Sequence, residues 1–559
     1  MPEQKLILEY IYEHAAHQPG KVFLTQPLGG GKVQDTTWGQ VLDQARRMAA
    51  HLQSRGLGAG CQVAILSKNC AHFFIAELAI WMAGCTTVAI FPTEGADTVR
   101  FVLEHSDAKL LFVGKLDTWA QQAGGVPDGL PCIALPLAPP TQFEGWDALI
   151  ARTAPLADLP ARRPDDLAMI MYTSGSTGQP KGVMLNFRAV SAVGEGVSRS
   201  VDKEVAGLGD WRMLSYLPLA HSFERACLEA TAWVDGRGHI FFAESVDTFV
   251  ADLKRARPTL FVSVPRLWLK FQQGVFAKMP AKKLDFLLSI PFLGKRVGHK
   301  VLTGLGLDQV RMAASGSAPI PAELIAWYRK LGLNLLEGYA MTEDFAFSHL
   351  STQACNLPGW VGVPYDGVQV RISEEKEILI KSPGQMVGYY KRPDLDAESF
   401  TADGFFRTGD MGERRADGLL KLTGRIKELF KTAKGKYVAP APIENRINEH
   451  PMVELSIVSG VGYPSAYGMV VLAESLRPKL ADPATRTSVN LELAQLLKDV
   501  NAGLSSYEQL QMLVVANEPW TIENGCLTPT MKIKRSRIEA KVGSQLDGWY
   551  ASKAAVVWA

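Results

Sequence analysis

The sequence predicts an α/β plus α+β protein: a long leading region built on a largely parallel sheet, then a smaller tail of different texture. Three observations predict it. A chain of 559 residues is too long for one compact core, so more than one domain is expected. Over roughly the first 115 residues, helix-type and strand-type runs alternate, the rhythm of parallel strands covered by helices. From Arg371 to Ile380 the pattern changes to short alternating strands, and beyond Lys427 short strands mix with helices.

The elements follow in order. Gly29-Gly30-Gly31 predicts a hairpin turn. Val41, Leu42, Ala45, Met48, Ala49 and Leu52 recur at helical spacing, with Gly56 as the stop. The glycines at 56, 58 and 60 precede a strand rather than following one, so they mark a turn and not a dinucleotide-binding fingerprint. Val63–Leu66 reads as a buried strand, followed by a helix through Phe74–Met82, a strand at Val88, a helix near Val99–His105 and a strand at Leu110–Val113. Ala71 to Phe91 is long enough to be weighed as a membrane span. It contains His72 and Glu77, breaks at Gly84 and turns into the β-type run Thr86–Ile90, so a buried helix followed by a buried strand is expected. The Pro-rich stretch Leu135–Pro140 and Arg162-Arg163-Pro164 read as surface connections. Lys282–Leu302 is basic and apolar (Lys282, Lys283, Lys295, Arg296, Lys300), a composition suited to an anionic membrane surface. Pro291 and Gly294 interrupt it, so a surface helical hairpin is the expected form. In the tail, strands are expected at Leu455–Val458, Met469–Leu472 and Met512–Val515, and helices at Leu491–Val500 and Ser536–Val542. The boundary falls at Lys427, dividing the chain into residues 1–426 and 427–559.

Composition narrows the function classes. With 47% hydrophobic and 21% charged residues, the chain reads as an ordinary soluble globular protein. A net charge of +2 gives no electrostatic footprint for nucleic acid. Seven dispersed cysteines without a CxxC pair suggest reduced thiols and no zinc site. The start Met-Pro-Glu-Gln-Lys lacks a signal-peptide pattern, so a cytoplasmic location is expected, with peripheral contact at the inner face of a membrane as the variant the basic segment suggests.

The chemistry concentrates in Thr173-Ser174-Gly175-Ser176-Thr177-Gly178-Gln179-Pro180-Lys181-Gly182, which follows the buried strand Leu167–Tyr172. A loop rich in Gly, Ser and Thr exposes backbone N–H groups and hydroxyls, and Lys181 adds a point charge, as a nucleotide polyphosphate requires. The spacing is not that of a Walker A loop: the fifth residue after Gly175 is Pro180, and Gly182 follows Lys181. The full string resembles the phosphate-binding signature of the adenylate-forming enzymes, which include acyl-CoA synthetases, luciferases and nonribosomal adenylation domains.

Further strings resemble that family in its own order along nearly the whole chain. Leu217–Arg225 is similar to the stretch bearing a histidine, here His221, beside the acyl and ATP sites. Ser263–Trp268 is similar to a strand-to-helix string of the long-chain acyl-CoA synthetase branch. Ser315–Pro319, with Gly316, Ser317 and Ala318, resembles the loop on which adenine and the acyl carbonyl lie. In Leu336-Glu337-Gly338-Tyr339-Ala340-Met341-Thr342-Glu343 the resemblance implies that Tyr339 stacks on adenine, Thr342 contacts phosphate and Glu343 binds Mg²⁺, with Thr173 as a second metal contact. A flat apolar wall suits adenine, and Mg²⁺ prefers few carboxylates plus phosphate oxygens and water. Read alone, Gly409-Asp410 is a common turn; between the other strings, Asp410 resembles the ribose clamp, with Arg425 as its partner cation. Lys427 falls at the family's hinge position. Phe430–Val438, with Lys431 and Gly435, resembles the loop that swings in for the second half-reaction, where Gly435 would let a pantetheine arm pass close to the backbone. Many relatives carry two glycines there and this chain has Lys434-Gly435, a departure that bears on the width of that tunnel. Leu527–Arg535 matches the string bearing the adenylation lysine, which places that role on Lys532, with Lys534 as neighbour. Asn186-Phe187 replaces the family's usual Thr-His, and Asn is a good helix N-cap there.

The fold implied by the resemblance is a large N-terminal domain of two α/β subdomains and a β-barrel, with a small mobile C-terminal α+β domain. The implied activity is ATP- and Mg²⁺-dependent activation of a medium- to long-chain fatty acid as acyl-AMP, then transfer to coenzyme A. The alternatives are transfer to a carrier protein, another use of the adenylate in oxidation or cyclisation, and a non-catalytic acyl- or nucleotide-binding protein. The presence of all the expected residues argues against the last.

Overall fold

The computed structural model describes residues 4–173, 180–528 and 531–559. They form two compact units. The first comprises residues up to Ile320, Leu324–Val370 and Ile380–Phe406; the second comprises Pro321–Glu323, Arg371–Leu379 and Arg407–Ala559.

The first unit is α/β. Its largest sheet has the spatial order Gly388–Tyr389, Lys181–Asn186, Leu167–Thr173, Thr86–Ile90, Gln62–Leu66, Ala108–Val113, Cys132–Ala134 and Glu144–Gly145. The strands from Leu167–Thr173 to Glu144–Gly145 run parallel, and Lys181–Asn186 folds back antiparallel on Leu167–Thr173. A second sheet places Leu260–Ser263, Met312–Ser315 and Leu335–Tyr339 in parallel, then adds His349–Leu350 and Val363–Pro364 antiparallel. A third holds Trp211–Ser215, Gly238–Phe242, Val22–Gly29 and Lys32–Thr37, the last two joined through Gly30 and Gly31 as the hairpin the sequence predicts.

The expected elements recur with extended ends. The helix at 41–52 runs Trp38–Ser54, and the strands and helices to residue 113 stand in the expected order. Ala71–Met82 is a helix buried on every side, followed by the buried strand Thr86–Ile90. Among the described residues, no helix is long and apolar enough to cross a membrane. Lys282–Leu302 forms the expected hairpin, as helices Ala281–Ser289 and Leu293–Leu305. Asn186 caps the helix Phe187–Glu204, its side chain accepting the Ala189 N–H at 2.9 Å.

The second unit holds most of a four-stranded sheet: Gln369–Ile372, Glu377–Lys381, Phe406–Arg414 and Leu420–Arg425. A short hairpin pairs Phe430–Lys431 with Tyr437–Val438. A further mixed sheet orders Val453–Ser459, Ala466–Leu472, Leu510–Val515 and Val556–Trp558, with the helix Pro483–Ala502 packed on its core. The helix Arg535–Val542 buries Ile538 and Val542 in a second cluster.

Candidate functional site

In the first unit, the predicted residues gather at the carboxyl ends of parallel strands, where open α/β sheets place their ligands. Thr173 ends the strand Leu167–Thr173 and is the register partner of Lys181, which opens the returning strand. Ser174, Gly175, Ser176, Thr177 and Gly178, which lie between them, fall outside the described residues.

Ser263, Ser315 and Glu337 lie side by side across three parallel strands, so the loops after them leave the sheet together. Gly316 donates its N–H to the Ser263 carbonyl at 3.1 Å. A Cβ at Gly316 would meet the Phe223 ring at 3.2 Å, so a hydrogen there lets the His221 string approach this loop. Ser317 follows at φ +68°, and Ala318 is exposed. Glu337 is buried, its Oε1 accepting the Ile320 N–H at 3.3 Å. Burial raises its pKa to about 7, against that hydrogen bond. Gly338 and Tyr339 pair with Leu350 and His349, and the Tyr339 and His349 rings stand 6.2 Å apart.

His221 caps a short helix, its Nδ1 accepting the Phe223 N–H at 3.1 Å. In the neutral ring the proton then sits on Nε2. Ser222 Oγ lies 3.4 Å from Thr342 Oγ1, which joins the histidine string to the turn Thr342–Asp344. Asp344 fastens that turn by accepting the N–H groups of Met341 at 3.0 Å and Phe347 at 3.3 Å. Its burial, with the Glu343 charge beside it, raises its pKa to about 8 against those bonds.

Glu343 is held from two sides. Its Oε1 accepts the Tyr389 hydroxyl at 2.8 Å, and its carbonyl accepts the Met386 N–H at 2.8 Å. The Lys181 ammonium stands 5.3 Å from the Tyr389 ring centroid. Tyr389 thus links the lysine of the phosphate-loop string to the carboxylate of the distant turn. One oriented carboxylate suits Mg²⁺, which takes its other ligands from phosphate and water.

Behind His221 lies a buried polar layer. Glu224 Oε1 accepts from the Ser215 hydroxyl at 2.8 Å and the Tyr216 N–H at 3.0 Å. Arg225 opens a π-helical turn, pairs with Glu77, and donates from Nε to Glu229 at 2.9 Å. All three side chains are buried. Burial opposes the charged guanidinium, yet Glu229 and Glu77 hold its pKa above the usual value. Burial lifts the Glu229 carboxyl well above the usual range despite Arg225.

In the second unit, Asp410 and Arg425 are register partners on adjacent strands, and Arg425 Nε donates to Asp410 Oδ1 at 2.5 Å. Asp410 is buried, while the Arg425 side chain is half exposed. Lys427 lies in the single turn Ile426–Glu428 immediately after Arg425. Lys431 ends a strand of the short hairpin, its ammonium 5.7 Å from the Tyr437 ring centroid. Gly435 sits at φ +76° in the exposed turn of that hairpin, a conformation glycine adopts without strain. Lys532 is exposed on a separate tight turn. Its N–H donates to Thr528 Oγ1 at 3.0 Å, and its carbonyl accepts the Thr528 N–H at 2.8 Å. Pro529 and Thr530, inside that turn, lie outside the described residues. Arg535 roots the following helix through Glu444 at 2.6 Å and the Val458 carbonyl at 2.8 Å.

Sequence reading missed Tyr389, which lies in an undistinguished Gly-Tyr-Tyr, and Asp344, whose signal was only its place beside Glu343. It also missed the Glu77–Arg225–Glu229 cluster, although a lone glutamate in an otherwise apolar helix was a readable sign of a buried partner.

Comparison with known proteins places these strings in context. A family profile described as "AMP-binding enzyme" matches residues 11–390, and one described as "AMP-binding enzyme C-terminal domain" matches residues 428–554. The chain is similar to a long-chain-fatty-acid–CoA ligase, FadD15, of Mycobacterium bovis, with 30% identity over 98% of this chain and 97% of the relative. Long chain acyl-CoA synthetase 5 of Arabidopsis thaliana is 28% identical over 91% of this chain and 85% of its own. Among solved structures, the A domain of a carboxylic acid reductase from Segniliparus rugosus, in complex with AMP and a co-purified carboxylic acid, superposes with a TM-score of 0.79 at 22% identity. It covers 99% of this chain and 95% of its own.

Proposed function

The chain belongs to the AMP-binding enzyme family, and from that premise we propose that it is a fatty acid–CoA ligase acting on medium- to long-chain acids. The observation that carries the acid class is likeness along 98% of the chain to a protein named as a long-chain-fatty-acid–CoA ligase. The Ser263–Trp268 string supports the same branch.

The reaction runs in two steps. A carboxylate oxygen of the acid attacks the α-phosphorus of ATP, and the bond to pyrophosphate breaks. A thiolate of coenzyme A then attacks the acyl carbonyl, and the bond to AMP breaks. The first step needs little proton chemistry; it needs two mutually repelling anions held in line and charge stabilised on the phosphate oxygens. Tyr339 offers the wall for adenine, Asp410 with Arg425 the ribose contact, and Thr173, Lys181 and Thr342 the phosphate contacts. Glu343, held by the Tyr389 hydroxyl, is the residue to hold Mg²⁺, which when bound draws charge from the phosphate oxygens. Lys532 supplies a further cation; at about 4 Å a unit charge contributes roughly 4 kcal/mol at an effective dielectric near 20.

The second step uses the Lys431–Gly435 loop. Rotation about Lys427, which directly precedes the span matched by the C-terminal profile, exchanges Lys532 for that loop.

The test is pyrophosphate release with Mg-ATP across a panel of fatty acids, with and without coenzyme A. Acid-dependent release with an acyl-CoA product supports the reading and names the chain length. Release with no CoA-dependent product transfers the adenylate to another acceptor, a carrier protein first.

A further inference from the structure

The helical hairpin of residues 281–305 carries a combination of features that the ligase reaction does not use. Residues 265–300 contain eight lysines and arginines and one aspartate, whereas the whole chain has a net charge of only +2. The one acid, Asp285, is paired with Lys330 at 3.0 Å. Lys282, Lys283, Lys295, Arg296 and Lys300 are all exposed. The hairpin is rooted on its inner side, where Leu284 and Leu302 are buried in the core that contains Trp268 and Trp327.

Its tip does the opposite of what an aqueous surface favours. Phe292 is 89% exposed and Phe286 66% exposed. Phe292 also occupies φ +62°, ψ −41°, and the Leu293 N–H closes a three-residue turn on the Pro291 carbonyl at 2.7 Å. That turn is rare and strained for a bulky side chain. A glycine would relieve the strain and would not expose a ring to water.

We propose that this hairpin docks on an anionic lipid bilayer, with Phe292 and Phe286 entering the headgroup–acyl boundary and the surrounding cations pairing with lipid phosphates. Aromatic side chains bury at that boundary, and lysine and arginine stems lie along it with their charges among the headgroups. Charge complementarity selects the occupant. The cations flank the exposed rings on both helices, as a negatively charged surface requires. A protein partner of ordinary affinity needs a broader packed patch than one projecting turn supplies. The inference rests on the hairpin alone and is independent of the acid the enzyme activates.

The test is co-sedimentation of the full chain with phosphatidylcholine vesicles made with and without phosphatidylglycerol. Partition onto the anionic vesicles is expected to exceed that onto neutral ones by at least about tenfold and to be lost at high salt. The variant K282E/K283E/K295E/R296E is expected to lower it by at least about tenfold. In Phe292→Trp, the difference emission against the unsubstituted chain is expected to shift to shorter wavelength only with anionic vesicles. Equal partition on both vesicle types, no effect of charge reversal, or an unshifted Phe292→Trp emission would each overturn the proposal. Binding to an acidic carrier protein in place of vesicles would overturn it as well. All the substituted side chains are exposed, so loss of fold does not confound the reading.

Discussion

The phenolic hydroxyl of Tyr389 donates a 2.8 Å hydrogen bond to Oε1 of Glu343, while the ring of the same tyrosine lies beside the Lys181 ammonium. Three residues far apart in the sequence, two of them from the family strings, are thereby set in one arrangement, with the carboxylate in a fixed orientation. Where a carboxylate binds a metal, its hydrogen-bond partners orient it and tune its affinity.

Tyr389→Phe removes the hydroxyl and keeps the ring. The apparent Mg²⁺ affinity is expected to weaken by about tenfold, with thermal stability little changed. Titrating pyrophosphate release against free Mg²⁺ checks this. An unchanged midpoint would remove Tyr389 from any role in orienting Glu343.

Lys532→Ala tests the division of labour between the two half-reactions. Adenylation is expected to fall by about 10²–10³, while thioester formation from supplied acyl-AMP is retained. Both half-reactions are measured separately; an equal fall in the two contradicts the exchange of Lys532 for the Lys431–Gly435 loop.

Arg225→Met leaves Glu77 and Glu229 buried without their counter-charge. Removing one member of a buried ion cluster costs about 3–5 kcal/mol, whereas replacing the whole cluster by apolar side chains is often neutral. The urea midpoint is therefore expected to drop sharply in the single variant and to recover in Glu77→Leu/Arg225→Met/Glu229→Leu. A triple variant no more stable than the single one would show that the cluster stabilises by more than charge balance.

Glu224 gives a pH signature. Burial raises its pKa from 4.5 to about 8, against the bonds from Ser215 and Tyr216. The folded state then binds more protons than the unfolded state across that window. Stability from this group is present below about pH 4.5 and is lost as pH rises toward about 8. At roughly 1.4 kcal/mol per pKa unit, the loss is on the order of several kcal/mol. Glu224→Gln keeps an acceptor for Ser215 and Tyr216 and cannot ionise. Its melting temperature, relative to the unsubstituted chain, should be higher near pH 8.5 than near pH 5. Parallel pH profiles for the two proteins would mean that the carboxyl does not titrate in this window.

Much of the fold was legible because the patterns that specify it are local. The apolar run Leu167–Tyr172 became a strand in the interior of the large sheet, and the buried Ala71–Met82 helix was distinguished from a membrane span by Glu77, Gly84 and the β-type run after it. Asn186 was recognised as a helix cap because capping is decided within three residues. The site strings were legible for a similar reason, since each is a short contiguous run.

Contacts between distant residues were not legible. Tyr389 is separated from Glu343 by 46 positions, and nothing around it announces a partner. Glu77 meets Arg225 through a helix and a π-helical turn that only packing brings together. Phe292 shows the same limit at a surface: the sequence marked the hairpin as basic and apolar, but exposure of the ring follows from which helix face the core claims.

By itself, the sequence determined the alternating architecture, the family strings and the residue types available for polyphosphate and ribose, because periodicity and short-range spacing act within one element. The tertiary structure alone decided which carboxylate is oriented by which hydroxyl, which charges are buried together and which aromatics are left outside. Those outcomes depend on side chains from distant segments competing for the same space, and that competition is settled only when the sheets and helices pack.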